Sequence, residues 1–494
     1  MKACKLFTLL LFSGLSITVH AQRIQKLSLN EALDLARSQS ELAKGIVASY
    51  QSYMWNYEAT KDALLPQISV NGTLPNYFRT INPITQPDGT VKLIGQSQLN
   101  SHVGINLEQT VMATGGSVFL SSGLSQYSTL GSDNYKYWQS TPLTIGFSQP
   151  LTLFNSVKWN YQQSKLRATQ ATQQQIENFE DLSLQITRAY FDLYVAKMQL
   201  KNASQNVINN DTLYKISTGR YNLGTIAENE LLQVELQLMN ARNSLTQNEL
   251  SVKTNTERLK NILGIQDDSL QFELEPVTDV PVFDVNIDKA ITEARENRSD
   301  IIGFELNKNE AEMELKRAKS SKFANGTVSA SFGLNQSATD LRQAYSDPLN
   351  TQNVNVGVSI PLVGWGRYKS NINSSRYNLE STLENLKYQE RDFDIQIEND
   401  VNQFEQLQGQ LLIAAKSDTI AQKRYAVAKN RYMLGKISIT DLGLAQNDKD
   451  NALINYIMTL EKYWVAYYQL RRSTLYDFET GQKIEYLKSV PGEK

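Results

Sequence analysis

Residues able to do chemistry are scarce in this chain, and the most suggestive are two carboxylates at matched places. Glu230 and Asp441 stand 211 residues apart, each six residues beyond a glycine, Gly224 and Gly435. Both open helical sequence, as Ala227-x-x-Glu230 and Ser438-x-x-Asp441. An acid there favours the helix dipole, and a Ser/Asp pair can cap reciprocally. General acid–base or nucleophilic work needs partners that the chain lacks. After residue 21 the only histidine is His102, no cysteine follows Cys4, and no Ser/His/Asp or metal-ligand spacing occurs. Gly364 and Gly366 around Trp365 read as a strand-exit turn, not a phosphate loop. The reading is therefore a non-enzyme with no cofactor and no metal.

The segments before these acids repeat as well. Arg220-Tyr-Asn-Leu-Gly224 returns as Arg431-Tyr-Met-Leu-Gly435, and Leu143-Thr-Ile-Gly-Phe-Ser-Gln-Pro150 as Val354-Asn-Val-Gly-Val-Ser-Ile-Pro361, at the same offset of 211. Upstream, Leu29-Asn-Glu-Ala-Leu33 maps onto Ile287-Asp-Lys-Ala-Ile291 and Val70 onto Val328, at an offset of 258. The difference of 47 residues places an insertion in the first copy, between about 73 and 142. A duplicated helix–strand–strand–helix unit follows.

Residues 1–21 read as a signal peptide: Lys2 and Lys5, an apolar stretch from Leu6 to Val19, and Val19-His20-Ala21 as cleavage site. No later apolar run reaches the roughly 20 residues of a spanning helix. With 49 basic and 51 acidic residues, the balance gives no case for nucleic acid.

From about 155 to 217 the chain carries only helix-compatible sequence. Its apolar positions step by three and four: Phe179, Leu182, Ile186, Ala189, Leu193, Ala196, Leu200, Ala203 and Val207. Phe393, Ile397, Phe404, Leu407, Leu411, Ala414, Ala421, Tyr425 and Ala428 repeat the seam. Large and small residues in a heptad seam predict coiled-coil contacts along a rod of roughly 95 Å. Shorter helices are expected over about 28–64, 226–263, 286–321 and 438–476. Glycine readily ends a helix, so Gly224 and Gly435 predict sharp reversals into antiparallel hairpins.

Between the helices the period is two. Val328, Ala330, Phe332 and Leu334 alternate with small or polar residues, as do Val354, Val356, Val358 and Ile360, Leu143, Ile145 and Phe147, and Val103, Ile105 and Leu107. One apolar and one small or polar face suits a barrel wall between lipid and water. Bare strand edges are costly in lipid, and so few strands cannot close alone, so the sheet must be shared between identical chains. Tyr77, Tyr135, Tyr137, Trp138, Trp159 and Trp365 are candidates for an interfacial aromatic belt. A secreted structural coiled coil would have no use for these stretches.

Together these residues resemble the TolC family of outer-membrane efflux proteins over nearly the whole chain after residue 21. The resemblance rests on Gln149-Pro150-Leu151 and Ile360-Pro361-Leu362, on the two Arg-Tyr-x-Leu-Gly reversals, and on Asn297-Arg-Ser-Asp-Ile301, where Ser299 replaces the family's proline. It implies a mixed fold: α-helical coiled-coil hairpins forming an α-barrel, plus transmembrane β-barrel strands, shared by a homotrimer. It also implies a periplasmic adaptor, an inner-membrane pump and outer-membrane lipid as partners, with the helical part in the periplasm. The matching function is the exit duct of a tripartite efflux system, with the outlet of a type I protein secretion system as alternative.

The implied organisation is a signal peptide (1–21), then helices (22–64), strands and loops (65–150) and a helical hairpin (151–272). A linker (273–285), helices (286–322), strands (323–361), a second hairpin (362–478) and a tail (479–494) complete it. Each family protomer gives four strands. The stretches 99–111 and 117–127, around Thr114-Gly115-Gly116, are extra here; they either add a hairpin to the barrel or form an outside loop, and four barrel strands per protomer are the expectation. Tyr221, Leu223, Gly224, Tyr432, Leu434 and Gly435 become adaptor-docking tips. Asp441 aligns with an aspartate that narrows the family's periplasmic entrance, and Glu230 is its counterpart. A ring of such carboxylates would favour cations. The family's second aspartate is Leu444 here, and the arginine near that tip is missing, with Lys436 the closest cation.

Overall fold

Ser28 and Glu31 show how local chemistry starts the first helix. The Ser28 hydroxyl accepts from the Glu31 N–H at 3.2 Å, and the Ser28 N–H donates to the Glu31 carboxylate at 2.9 Å, the reciprocal cap of a helix N-terminus. The computed structural model describes residues 23–486 except 131–133, 268, 278–279 and 324. The expected signal peptide lies outside the described residues. The elements are β1 (Arg23–Leu27), α1 (Leu29–Gln39), α2 (Glu41–Asp62), β2 (Gln67–Thr85), β3 (Val91–Val111), β4 (Gly116–Leu130) and β5 (Tyr135–Leu151). Then come α3 (Ser156–Asn222), α4 (Glu228–Leu263), β6 (Leu270–Leu274), α5 (Ile287–Asn297), α6 (Ser299–Ser320), β7 (Asn325–Ala338) and β8 (Leu349–Ser359). The chain ends through α7 (Arg367–Met433), α8 (Ile439–Thr474) and the short strands β9 (Tyr476–Asp477) and β10 (Gln482–Lys483).

The helix pairs repeat in length: α3 and α7 have 67 residues each, α4 and α8 have 36 each. The expected helices over 28–64 and 286–321 are each divided. Ser40 turns to an extended conformation and its hydroxyl accepts from the Ala43 N–H at 3.0 Å, starting a second helix. Arg298 is likewise extended, so the Asn-Arg-Ser motif marks the break between α5 and α6.

The chain divides into two units. The first gathers residues up to Val47, Glu177–Ile291 and Ile397–Glu485. The seam residues Leu182, Ile186, Leu193, Phe404, Ile397 and Leu407 are buried there, while Leu200, Val207, Tyr425 and Ala428 are half-buried. β1 pairs with β6 in parallel, and the Tyr190 hydroxyl lies 3.1 Å from the Leu27 carbonyl oxygen and 2.8 Å from that of Glu275. Desolvation raises the Tyr190 pKa, so this phenol stays a donor. Phe283, Phe404, Tyr463, Trp464, Tyr467 and Tyr468 form an aromatic cluster. Beside it Arg471 donates to both oxygens of fully buried Glu180 at 3.2 Å and pairs with Asp477.

The second unit holds Ala48–Ile176 and Thr292–Gln396, and with them one antiparallel sheet in the order β2-β3-β4-β5-β7-β8. Six strands, rather than the four expected, make up this sheet. The stretches 99–111 and 117–127 are the cores of β3 and β4, a hairpin inserted between β2 and β5. The ladder continues through them without skipping a strand. Two register shifts carry prolines, Pro75 in β2 and Pro142 in β5, where a residue without an N–H is tolerated.

Candidate functional site

Both reversals are built alike. Gly224 has φ +70° and Gly435 φ +68°, left-handed conformations. At the first, the Gly224 N–H donates to Tyr221 and the Thr225 N–H to Arg220; at the second, the Gly435 N–H donates to Tyr432 and the Lys436 N–H to Arg431, all at 2.8–2.9 Å. These bonds satisfy carbonyls that the helix ends leave open. Leu223 and Leu434 stand out at the turns, 80% and 69% exposed, and Tyr221 is also exposed. Tyr432 is different: only 3% exposed, it packs with Val234, Ile439 and Leu442, and the Arg220 guanidinium lies 5.7 Å over its ring. It braces the reversal from beneath and offers no contact surface, against the expectation of a docking residue.

The same cluster draws on four helices, with Leu213 and Tyr214 of α3, Val234 of α4, Tyr425 and Ala428 of α7, and Leu442 of α8. The Gln233 amide donates to the Thr440 hydroxyl at 3.5 Å, which sets the starts of α4 and α8 side by side. Asn206 donates to Asp450 at 2.8 Å and Asn209 to the Tyr425 hydroxyl at 3.2 Å. These cross-links were not singled out from sequence. Only the half-polar spacing along α3 hints at them.

Asp441 closes a capping box. Its carboxylate accepts from the Ser438 hydroxyl at 2.8 Å and the Ser438 N–H at 3.2 Å. The Ser438 hydroxyl, then its N–H, hold the carboxyl below the usual carboxylate range, and the Arg431 charge adds to this. Asp441 is exposed and keeps its charge while capping. Glu230 is half-buried at the start of α4, where Ala227 offers no side-chain cap. Leu444, at the place of the family's second aspartate, is exposed. Among the described residues no group of three His, Cys, Asp or Glu side chains is placed to hold a metal ion, and no helix is long and apolar enough to cross a membrane.

The sheet supplies the second candidate site through its two faces. Residues opposite one another in adjacent strands share a face. One rung across all six strands reads Ile68, Leu107, Leu120, Ile145, Phe332 and Gln352; the next, on the other face, reads Ser69, Asn106, Ser121, Thr144, Gly333 and Thr351. Ile68, Val70, Ile145, Phe332, Val354 and Val356 are exposed although apolar. A continuous exposed apolar face of this extent marks a surface made for a non-aqueous neighbour. The opposite face is mostly small and polar, with Phe119, Tyr127 and Tyr137 as its large members. His102 lies on it, its Nδ1 2.9 Å from the Ser125 hydroxyl, with Gly104 and Gly123 leaving room for the ring. Of the aromatic candidates, Tyr77, Tyr135, Tyr137 and Trp138 lie toward one end of the strands, where Tyr137 stacks on Tyr127 at 4.9 Å. Lys316 sits 5.4 Å over the Trp159 ring, and Trp365 is 96% exposed just past β8.

A two-faced antiparallel sheet joined to duplicated 67-residue helices defines the class of TolC-like outer-membrane channels. The chain belongs to the outer membrane efflux protein family, whose profile matches residues 113–265 and 290–474, more than half of its length. Its fold is similar to the CmeC outer membrane channel of Campylobacter jejuni (TM-score 0.66, 16% identity, covering 93% of this chain and 87% of that one). It is also similar to a membrane protein from Pseudomonas aeruginosa (0.67, 14%, 96% and 96%) and to the open state of the Neisseria gonorrhoeae MtrE outer membrane channel (0.61, 14%, 92% and 89%). No curated protein matches the chain in sequence. The family is one of ducts, not enzymes.

Proposed function

We propose that three copies of this chain form the passive exit duct of a tripartite efflux system, anchored in the outer membrane by the sheet. The observation that carries this is the pair of opposite rungs, one apolar over the five strands from Ile68 to Phe332, the other small and polar across all six. Unpaired strand edges cost several kcal/mol per backbone group in lipid. β2 and β8 are such edges within one copy, so closure requires neighbours. The helical hairpins then reach into the periplasm, where Leu223 and Leu434 meet an adaptor and Glu230 and Asp441 stand near the entrance. An inner-membrane pump supplies the cargo and the energy.

The test is extraction of the full chain with detergent, measurement of its mass, and reconstitution into planar bilayers. A trimer with discrete single-channel steps is expected. A water-soluble monomer that does not conduct would refute the duct.

A further inference from the structure

The inserted hairpin has a consequence for what the duct can pass, and it rests on the trimer reading above. We infer that β3 and β4 are wall strands, so that the trimer closes an eighteen-stranded barrel wide enough to release cargo of about 10 Å radius. The observation behind it is the strand order: β2 pairs only with β3, β3 goes on to β4 and β4 to β5. In the second copy β7 pairs directly with β8. If the hairpin were a plug or a surface loop, β2 would pair with β5 in the same way. Instead Leu107 and Leu120 continue the apolar rung, and Asn106 and Ser121 the polar one.

The geometry sets the size. Strands about 4.8 Å apart, tilted about 40°, give a backbone radius of about 12 Å for twelve strands and about 18 Å for eighteen. Inward side chains take a few ångströms: Ser, Gly, Thr and Asn line most of that face, and Phe119, Tyr127 and Tyr137 are its bulky members. The free radius is then about 14 Å, against about 8 Å for a twelve-stranded wall. A bulky amphiphile or a short folded peptide passes the first and is stopped by the second. The mouth is therefore not the sieve, and selection falls to the helical end.

The experiment uses the cysteine-free sequence after residue 21. Ser331→Cys on the polar face of β7 is labelled in intact cells, from outside only, by a small maleimide and by a maleimide polymer of about 10 Å radius. Val356→Cys on the apolar face is the control. We expect both reagents to label Ser331→Cys, with rates within about tenfold of each other after correction for reagent size. Repeating the labelling in a chain lacking residues 82–96 removes the outer hairpin as a barrier. Strand neighbours are read independently from disulfide formation. The pair Ser121→Cys/Thr144→Cys, opposite in β4 and β5, is expected to close, and Gln67→Cys/Ser148→Cys, the counterpart of Asn325 opposite Ser359, is not. Exclusion of the polymer from a conducting trimer in both backgrounds would overturn the eighteen-stranded wall and leave the duct standing. Closure of the 67–148 pair, or a dimer of twelve strands, would overturn it too. A soluble, non-conducting product would refute the duct itself.

Discussion

Asp441 does two things with one carboxylate. It caps α8 through Ser438 and holds a negative charge in the open. Its folded pKa is depressed, so the charged cap contributes stability above the unfolded value, near 3.9, and is lost as pH falls through the folded one. If the residue also biases ion flow, cation preference should be level between pH 7 and 5 and fade only below the ordinary carboxylate range. Asp441→Asn keeps an acceptor for the cap and removes the charge. Its reversal potential in a salt gradient should move toward zero and lose its pH dependence. An unchanged reversal potential would leave Asp441 as a cap alone. The acid was legible in the sequence because Ser438-x-x-Asp441 is a local pattern. The burial of Tyr432 was not, because Tyr221 and Tyr432 occupy equivalent places in the repeat and only tertiary packing separates them.

At the scale of elements, the two reversals depend on left-handed glycines with open space around them. A Cβ built on Gly435 meets no heavy atom within 4 Å, so Gly435→Val suffers from backbone conformation, about 1–2 kcal/mol, not from a clash. The Lys436 to Arg431 bond should loosen and Leu434 should turn away. Adaptor pull-down is then expected to fall severalfold while trimer mass and conductance hold. Unaltered pull-down would remove the docking role. The hairpin of β2 and β3 makes the opposite case. β4 pairs with β3 only as far as Leu130 opposite Ser97, while β2 and β3 run on together to Thr85 opposite Val91. Removing 82–96 should leave heat-resistant trimers in the membrane fraction; their loss would show that the extension is part of the wall.

Helices were easy to read from period and composition, since α3 and α7 depend on contacts one or two turns away. Their interruptions at Ser40 and Arg298 were not, because each is a single extended residue in otherwise helical sequence. Strand alternation was visible in β3 and β4, but their place in the sheet is a matter of long-range pairing, which local alternation does not specify.

For the whole molecule, the repeat offset revealed the architecture before any contact was known. Its change from 211 to 258 located the insertion, yet a length of chain does not say whether it becomes wall or loop. The ladder puts it in the sheet. One copy leaves β2 and β8 as bare edges and an apolar face in the open, and the proposed trimer in lipid would cover both. The conductance and mass measurements proposed above address this level.

If β3 and β4 are wall strands, the added hairpin, present in only one of the two repeats, lets the gauge of the outlet vary separately from the fit to the proposed partners. Each further hairpin per copy would enlarge the mouth by six strands in a threefold ring, with α3, α4, α7 and α8 unchanged. A lineage can thus meet larger cargo without renegotiating the joint with its partners.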